Sequence, residues 1–193
     1  VGRGILADTC EVYGQEPDES CERFRENLEL LRRLWSETDV SWSGRFRAPL
    51  DRVTVEPRPV QAPHPPIWVG SGSSPVSVDL AVDLGLPLML PSALARPAEF
   101  LPLVQRYRER WAAAGRDPAG ARVGSCSHVH VAATSQQARE AWRPYYLNHL
   151  RFVDRVWTRV ELDSEQLLAR VAVCGSPAEV VDRLSAIGET LGL

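Results

Sequence analysis

The sequence contains no lysine, because all 22 of its basic residues are arginine. These arginines are spread over the predicted helix faces rather than gathered in one stripe, and the net charge of the 193-residue chain is −3. Nucleic-acid binding needs a concentrated positive surface. We therefore expect no nucleic-acid partner.

Cysteine is scarce, and its spacing carries no metal motif. The four cysteines form no CxxC pair and have no histidine at metal-ligand spacing; they are Cys10, Cys21, Cys126 and Cys174. We interpret them as reduced, mostly packed thiols of a cytoplasmic protein, and we expect no metal site. The sequence also has no apolar run of 18 residues and no signal-peptide pattern, which argues against a membrane-spanning or exported protein.

The chain does have the composition of an ordinary globular protein, 44% hydrophobic and 24% charged. Its length suits one domain with a sizeable core, so we predict a single domain over residues 1–193. The chain opens on Val1-Gly2-Arg3-Gly4 with neither a methionine nor a polar lead-in. This start suggests that further sequence precedes it in the complete protein.

One stretch in the first half of the chain predicts a strand–turn–helix unit. Ile67-Trp68-Val69 is a short apolar strand, and the small-residue turn Gly70-Ser71-Gly72-Ser73-Ser74 follows it. Pro75 then suits the first helical position and Gly85 the position after the helix. Backbone N–H groups of such a turn lie at the positive end of the helix dipole, so the turn is a candidate anion site. The alternative is a simple tight turn, since the pattern is neither a dinucleotide fingerprint nor a Walker loop.

The rest of the chain repeats this alternation of short strands and longer helices. We predict a strand tail over 1–6, an antiparallel pair over 40–46 and 53–55, and strands over 86–90, 123–133 and 171–175. We predict helices over 19–36, 97–114, 135–151 and 178–187, and an interrupted helix over 152–169. Four successive strand–helix units with a partial strand in front indicate a parallel sheet covered by helices. This is either an open sheet or half of a (β/α)₈ barrel, since a complete barrel needs about 250 residues. In either case ligands collect at the carboxyl ends of the strands.

Two histidines share one face of a predicted strand. His128 and His130 alternate with Val129 and Val131. Two histidines on one face can ligate a metal, but no carboxylate or third ligand stands at suitable spacing. We favour packing over metal binding.

Several of these stretches, taken in order, resemble the luciferase-like flavin-dependent monooxygenases. The most specific is PRPVQAPHPPIWVG at residues 57–70. The other matching stretches lie at residues 1–4, 22–35, 44–46, 85–90 and 173–179. The resemblance implies a TIM-barrel fold, of which this chain would be the second half, from the end of the fourth strand to the eighth helix.

The resemblance also implies which residues bind the cofactor. Arg3 corresponds to the family's phosphate-binding arginine, and a guanidinium fork matches phosphate oxygens. Gly72, Ser73 and Ser74 in the turn, with Ser77 one helical turn later, correspond to the phosphate cradle. Arg23 corresponds to a second phosphate- or ribose-contacting arginine. Catalytic residues stay unknown, because in the family they lie mostly in the other half of the barrel.

The resemblance finally implies an enzyme that oxidises a small organic substrate with reduced FMN and O₂. Because no nicotinamide-binding motif is present, a separate flavin reductase would supply the reduced FMN. Two alternatives stay open: an oxidoreductase that uses coenzyme F420 in the same cradle, and a non-catalytic flavin-binding half-barrel. We also expect a homo-oligomer.

Overall fold

The computed structural model describes residues 1–4, 7–93, 95–156 and 171–193. They form two compact units, Val1–Trp68 and Val69–Leu193. No helix in the described parts of the chain is long and apolar enough to cross a membrane.

The first unit is built around one amphipathic helix. Its elements are α1 (Ala7–Val12), a 3₁₀ turn (Pro17–Glu19), α2 (Ser20–Ser36), β1 (Val40–Trp42) and β2 (Leu50–Val53). The two strands pair antiparallel, as the sequence predicts, but the first is shorter than the predicted 40–46 and the second lies before the predicted 53–55 and shares only Val53 with it. Helix α2 begins within one residue of its predicted start and buries Leu28 and Leu30.

The proline-rich link after β2 is fastened to the carboxyl end of α2. Arg58 donates from its two terminal nitrogens to the carbonyls of Leu34 (2.8 Å) and Trp35 (3.0 Å). The last carbonyls of a helix lack intrahelical partners and carry the negative end of its dipole, so a guanidinium stabilises them. The side chain of Arg58, in the PRPVQ motif, therefore caps the carboxyl end of α2.

The second unit contains the parallel strands and most of the apolar core. Its elements are β3 (Val69–Gly70), α3 (Pro75–Asp83), β4 (Leu88–Leu90), a 3₁₀ turn (Pro97–Phe100), α4 (Leu101–Ala113), a 3₁₀ turn (Pro118–Gly120), β5 (Val123–Ser125), β6 (Val129–Val131), α5 (Ser135–Val156), β7 (Val173–Gly175) and α6 (Pro177–Leu191). Strands β3, β4 and β5 form one parallel sheet in that order, and β6 pairs parallel with β7. The predicted α/β class is confirmed, and the described strands form no closed barrel.

Apolar strands and the helices that cover them make up the core of this unit. Val69, Leu88 and Leu90 are fully buried, and so is Tyr107 of α4. The Tyr107 hydroxyl donates to the carbonyl of Leu86 at 3.0 Å, and burial raises the pKa of this tyrosine to about 12. Tyr107 therefore stays a neutral donor that fastens α4 to the segment leading into β4.

The sequence predicts the ends of α3 correctly. Ser74 caps the helix, Pro75 occupies its first position, and Gly85 beyond its last residue adopts φ +66°. The N–H of Leu86 bonds the carbonyl of Ala81 at 2.8 Å, which closes the helix. A side chain at Gly85 would be strained, because L-residues rarely adopt this left-handed conformation.

Two further strand predictions are wrong in detail. Residues 1–4 form no regular strand, although the amino group of Val1 donates to the carbonyl of Trp68 at 2.8 Å. The stretch 123–133 is not one strand but two, because the chain leaves the β4–β5 ladder after Cys126 and pairs again with β7 from Val129. Residues 5–6 of the predicted strand tail, and most of the predicted helix over 152–169, lie outside the described residues.

Candidate functional site

The glycine–serine turn lies at the carboxyl end of β3, where it is held by bonds to neighbouring backbone. The N–H of Ser71 donates to the carbonyl of Met89 in β4 at 3.0 Å, and its hydroxyl donates to the carbonyl of Ser74 at 2.9 Å. Ser74 in turn accepts the N–H of Ser77 at 3.3 Å, as the N-cap of α3. The turn is therefore one fixed loop at a helix amino terminus.

The middle of this turn faces solvent. Gly72 and Ser73 are exposed, and their backbone N–H groups bond none of the residues that the structure describes. A Cβ at Gly72 would lie 3.1 Å from Cγ of Pro91, so glycine lets the backbone pass close to the end of β4. Open N–H groups beside a helix amino terminus can bind an anion.

The other two serines assigned to the cradle are already engaged or buried. The Ser74 oxygen caps its own helix, and Ser77 is only 3% exposed. The structure therefore places three cradle residues in one turn and Ser77 in the first turn of α3, and it leaves Gly72 and Ser73 most accessible.

A second group of hydroxyls lies at the ends of the next two strands. Ser92, 1% exposed, contacts the hydroxyls of Ser125 and Ser127 (3.2 Å from Ser127 Oγ) and donates to the carbonyl of Cys126 at 3.2 Å. The sequence predicts a strand that ends at residue 90, directly before Ser92, but sequence reasoning missed Ser125 and Ser127. It missed them because it continued the strand to residue 133, although the run of small polar residues at 124–127 could have signalled the break.

Arg3 lies beside the first residues of α2. Its Nη1 donates to Oγ of Ser20 at 3.3 Å and to Sγ of Cys21 at 2.7 Å. The side chain is exposed, and its Nε and Nη2 bond nothing within the described chain. Two donors of the guanidinium fork are thus open to an external acceptor.

Arg23 is the more enclosed of the two predicted arginines. Its Nη2 pairs with Glu19 at 3.2 Å, and its guanidinium lies 4.5 Å from the centroid of the Phe46 ring. Its Nε is buried and has no hydrogen-bond partner among the described residues. These contacts give Arg23 a clear structural role; its predicted contact with a cofactor stays a prediction.

The surroundings of Arg23 explain the Gly44-Arg45-Phe46 motif. The Glu26 carboxylate accepts the backbone N–H of Arg45 (2.8 Å) and of Phe46 (3.1 Å). A Cβ at Gly44 would collide with Oε1 of Glu26 and lie 2.7 Å from Nε1 of Trp42, so a side chain there would displace the carboxylate from these N–H donors. The Arg45 side chain then bonds Glu19 and Glu22. This motif is a turn that fastens the segment between β1 and β2 to α2.

The predicted site residues thus fall into two groups. Arg3 and Arg23 lie around the amino-terminal part of α2 in the first unit, and the four cradle residues lie in the glycine–serine turn and the first turn of α3 in the second unit. That the two groups meet on one phosphate stays a prediction.

The two strand histidines pack against α5. The His128 ring lies 5.6 Å from the Tyr146 ring and 4.8 Å from the His149 ring, and His130 stacks on Trp142 at 5.7 Å. Burial, together with His149, lowers the pKa of His128. Among the described residues no group of three or more His, Cys, Asp or Glu side chains is placed to hold a metal ion.

A cavity of about 360 Å³ lies elsewhere in the second unit. It is bounded by Val171 and Ala172 before β7, by Arg96, and by the Arg183 and Ile187 side of α6. The cavity therefore opens at the amino end of β7, away from the carboxyl ends where ligands of parallel sheets collect. We assign no ligand to it.

Comparison with known proteins gives a family match over the whole chain. The family model described as luciferase-like monooxygenase matches residues 1–193. The crystal structure of monooxygenase RslO1 from Streptomyces bottropensis is 32% identical with a TM-score of 0.82, and the match covers 99% of this chain and 57% of that one.

Two further relatives differ in cofactor. An FMNH₂-dependent dimethylsulfone monooxygenase of Pseudomonas putida is 38% identical over 66 residues, which are 34% of this chain and 18% of the relative. The structure of an F420-dependent secondary alcohol dehydrogenase in complex with an F420–acetone adduct has a TM-score of 0.72 at 20% identity. The match covers 98% of this chain and 60% of the dehydrogenase chain. The second likeness shows the fold alone. The chain spans less than two thirds of the length of each of these relatives.

Proposed function

The chain belongs to the luciferase-like monooxygenase family, and on that premise we propose that it binds the phosphate of reduced FMN for a flavin-dependent monooxygenase reaction. The observation that carries the proposal is the family match along all 193 residues. The reaction would oxidise a small organic substrate with O₂. A separate reductase would supply the reduced flavin, since the sequence carries no nicotinamide-binding motif.

The residues present fit a phosphate group. The open N–H groups of Gly72 and Ser73 and the exposed Ser73 hydroxyl can donate to phosphate oxygens, and the amino terminus of α3 favours a negative charge there. Arg3 can donate from Nε and Nη2, the two atoms that make a bidentate contact with an oxyanion. Reduced FMN, when bound, supplies the electrons that activate O₂. The chain's own residues would fix the cofactor by its phosphate.

Titration of the purified protein with three ligands tests the proposal. We expect FMN to bind, riboflavin to bind more weakly because it lacks the phosphate, and coenzyme F420 to compete poorly, with flavin fluorescence or calorimetry as the readout. Stronger binding of F420 than of FMN would favour the F420-dependent oxidoreductase instead. If neither cofactor binds, the proposal is wrong for this chain.

A second measurement separates an enzyme from a binding module. With reduced FMN delivered by an added flavin reductase, a monooxygenase consumes O₂ in step with formation of an oxygenated product. Tight FMN binding with no substrate-dependent O₂ consumption would instead indicate the non-catalytic flavin-binding half-barrel. Sedimentation of the same sample tests the proposed homo-oligomer.

A further inference from the structure

We propose that Cys21 is a positioning residue that holds Arg3 ready for the cofactor phosphate, an inference that rests on the phosphate-binding role proposed above. The contact between Arg3 Nη1 and the Cys21 sulfur, 2.7 Å long, carries it.

Arg3 needs such a support because its own backbone does little to restrict the position of its side chain. It stands between Gly2 and Gly4, and Gly4 adopts φ +87°, in the region that only glycine enters freely. The arginine side chain is long and has many rotamers, so it is conformationally free unless something holds it. A free side chain of this kind would lose conformational entropy when the phosphate binds, which weakens binding.

Helix α2 supplies the fixed point. Cys21 is the second residue of a 17-residue helix and is partly buried, so its position is set by the helix rather than by the loop that carries Arg3. Ser20, one residue earlier, contacts the same nitrogen at 3.3 Å. Both contacts use Nη1 and therefore orient the guanidinium plane while leaving Nε and Nη2 open.

The chemistry of these partners matters as much as their position. Arg23 is paired with the Glu19 carboxylate. The negative charge of Glu19 offsets the positive charge of Arg23, which would otherwise attract an anion. Arg3 rests on a hydroxyl and a thiol, and neither partner is a carboxylate. The support at Ser20 and Cys21 therefore orders Arg3 through neutral groups, and among the residues that the structure describes no carboxylate pairs with it.

The test compares FMN with riboflavin on a small set of variants. We expect Cys21→Ala to raise the FMN dissociation constant about three- to tenfold, the range for losing the order of one long side chain, and to leave the riboflavin dissociation constant unchanged. Cys21→Ser should bind FMN like the parent protein, because a hydroxyl can accept the same hydrogen bond. The matched control is Cys126→Ala, which removes an exposed thiol in the second unit and should change neither constant.

Arg3→Ala and the double variant separate this inference from the proposed function. If Arg3→Ala leaves FMN affinity unchanged, Arg3 does not bind the phosphate and the proposed role of Arg3 fails. If Arg3→Ala weakens FMN binding but Cys21→Ala does not, the phosphate role stands and the positioning role is overturned. The positioning role also fails if Cys21→Ala weakens riboflavin binding equally, or if it still weakens FMN binding when Arg3 is already alanine.

Discussion

The two compact units support their candidate phosphate contacts in different ways. In the second unit, the glycine–serine turn extends from a parallel sheet whose strand residues Val69 and Leu88 are completely buried. In the first unit, Arg3 and Arg23 lie around the amino-terminal part of α2, among exposed side chains such as Arg45. The first support is backbone fixed by apolar packing, and the second is a set of side-chain hydrogen bonds.

Because of this difference, we expect the two units to respond differently to salt and to pH. Buried apolar side chains carry no charge that salt could screen or that pH could change, so the turn should keep its shape until the unit unfolds. On the arginine side, the ion pairs of Arg23 and Arg45 lie near the surface, where such pairs typically contribute between about 0 and 1 kcal/mol and are screened by salt. Arg3 is held only by hydrogen bonds of an exposed side chain to neutral groups. The arginine side of the site should therefore be the more easily disturbed.

Leu88→Ala should have the largest effect on stability. Removing a fully buried leucine from β4 costs about 2–5 kcal/mol, through lost burial and the cavity left behind. Urea unfolding measures the loss, and amide hydrogen exchange should locate it in β3, β4 and β5. The control is Leu101→Ala on α4, where the leucine is 42% exposed and little should change. If Leu88→Ala accelerated amide hydrogen exchange equally in α2, the two units would not support their phosphate contacts independently, and the comparison would be wrong.

Arg3→Ala should have the largest effect on cofactor affinity. We expect FMN binding to weaken by about 1.5–3 kcal/mol, the range for a hydrogen bond to a charged group. Calorimetric titration measures the change, and riboflavin affinity should stay constant because it has no phosphate. An equal loss for both ligands would show that Arg3 acts on the fold rather than on the phosphate.

Ser74→Ala should have an intermediate effect on both stability and binding. The substitution removes the oxygen that accepts the Ser77 N–H, and loss of such a cap costs about 0.5–2 kcal/mol. Ser176→Ala is a matched control, because Ser176 caps α6 in the same way by accepting the N–H of Glu179 at 3.4 Å. Both variants should unfold more easily, and only Ser74→Ala should also weaken FMN binding.

The Glu26 carboxylate should make the smallest contribution to stability, and this contribution should disappear in acid. Burial opposes ionisation of Glu26, but the N–H groups of Arg45 and Phe46 and the charge of Arg23 outweigh it and hold the pKa below its ordinary value of 4.5. The folded carboxylate thus releases its proton more readily than the unfolded one. Its contribution to stability is present above pH 4.5 and is lost as the pH falls through the lower folded pKa.

Glu26→Gln tests this pH dependence against the parent protein. Other carboxylates with lowered pKa, such as Asp79 and Glu99, affect both proteins equally, so the difference in unfolding midpoint between them isolates Glu26. We expect the difference to shrink as the pH falls below 4.5. A difference that stays constant from pH 7 to pH 3 would contradict the assigned role of the Glu26 carboxylate.

Sequence alone determined the order of the elements and the ends of several helices. Pro75 at the first helical position and Gly85 after the helix appear in the structure as predicted, and Ser176-Pro177-Ala178-Glu179 begins the last helix. These features depend on residues within a few positions of one another. Local backbone preferences and local hydrogen bonds decide them, so the sequence contains the necessary information.

Tertiary structure alone decided the partners of the charged and sulfur-bearing residues. Arg45 bonds Glu19 from 26 positions away, and Arg3 reaches Cys21 across 18. The division of the stretch 123–133 into two strands also accompanies a distant contact, that of the Ser125 and Ser127 hydroxyls with Ser92. No periodicity or short motif encodes such contacts, because they form only when packing brings separate elements together.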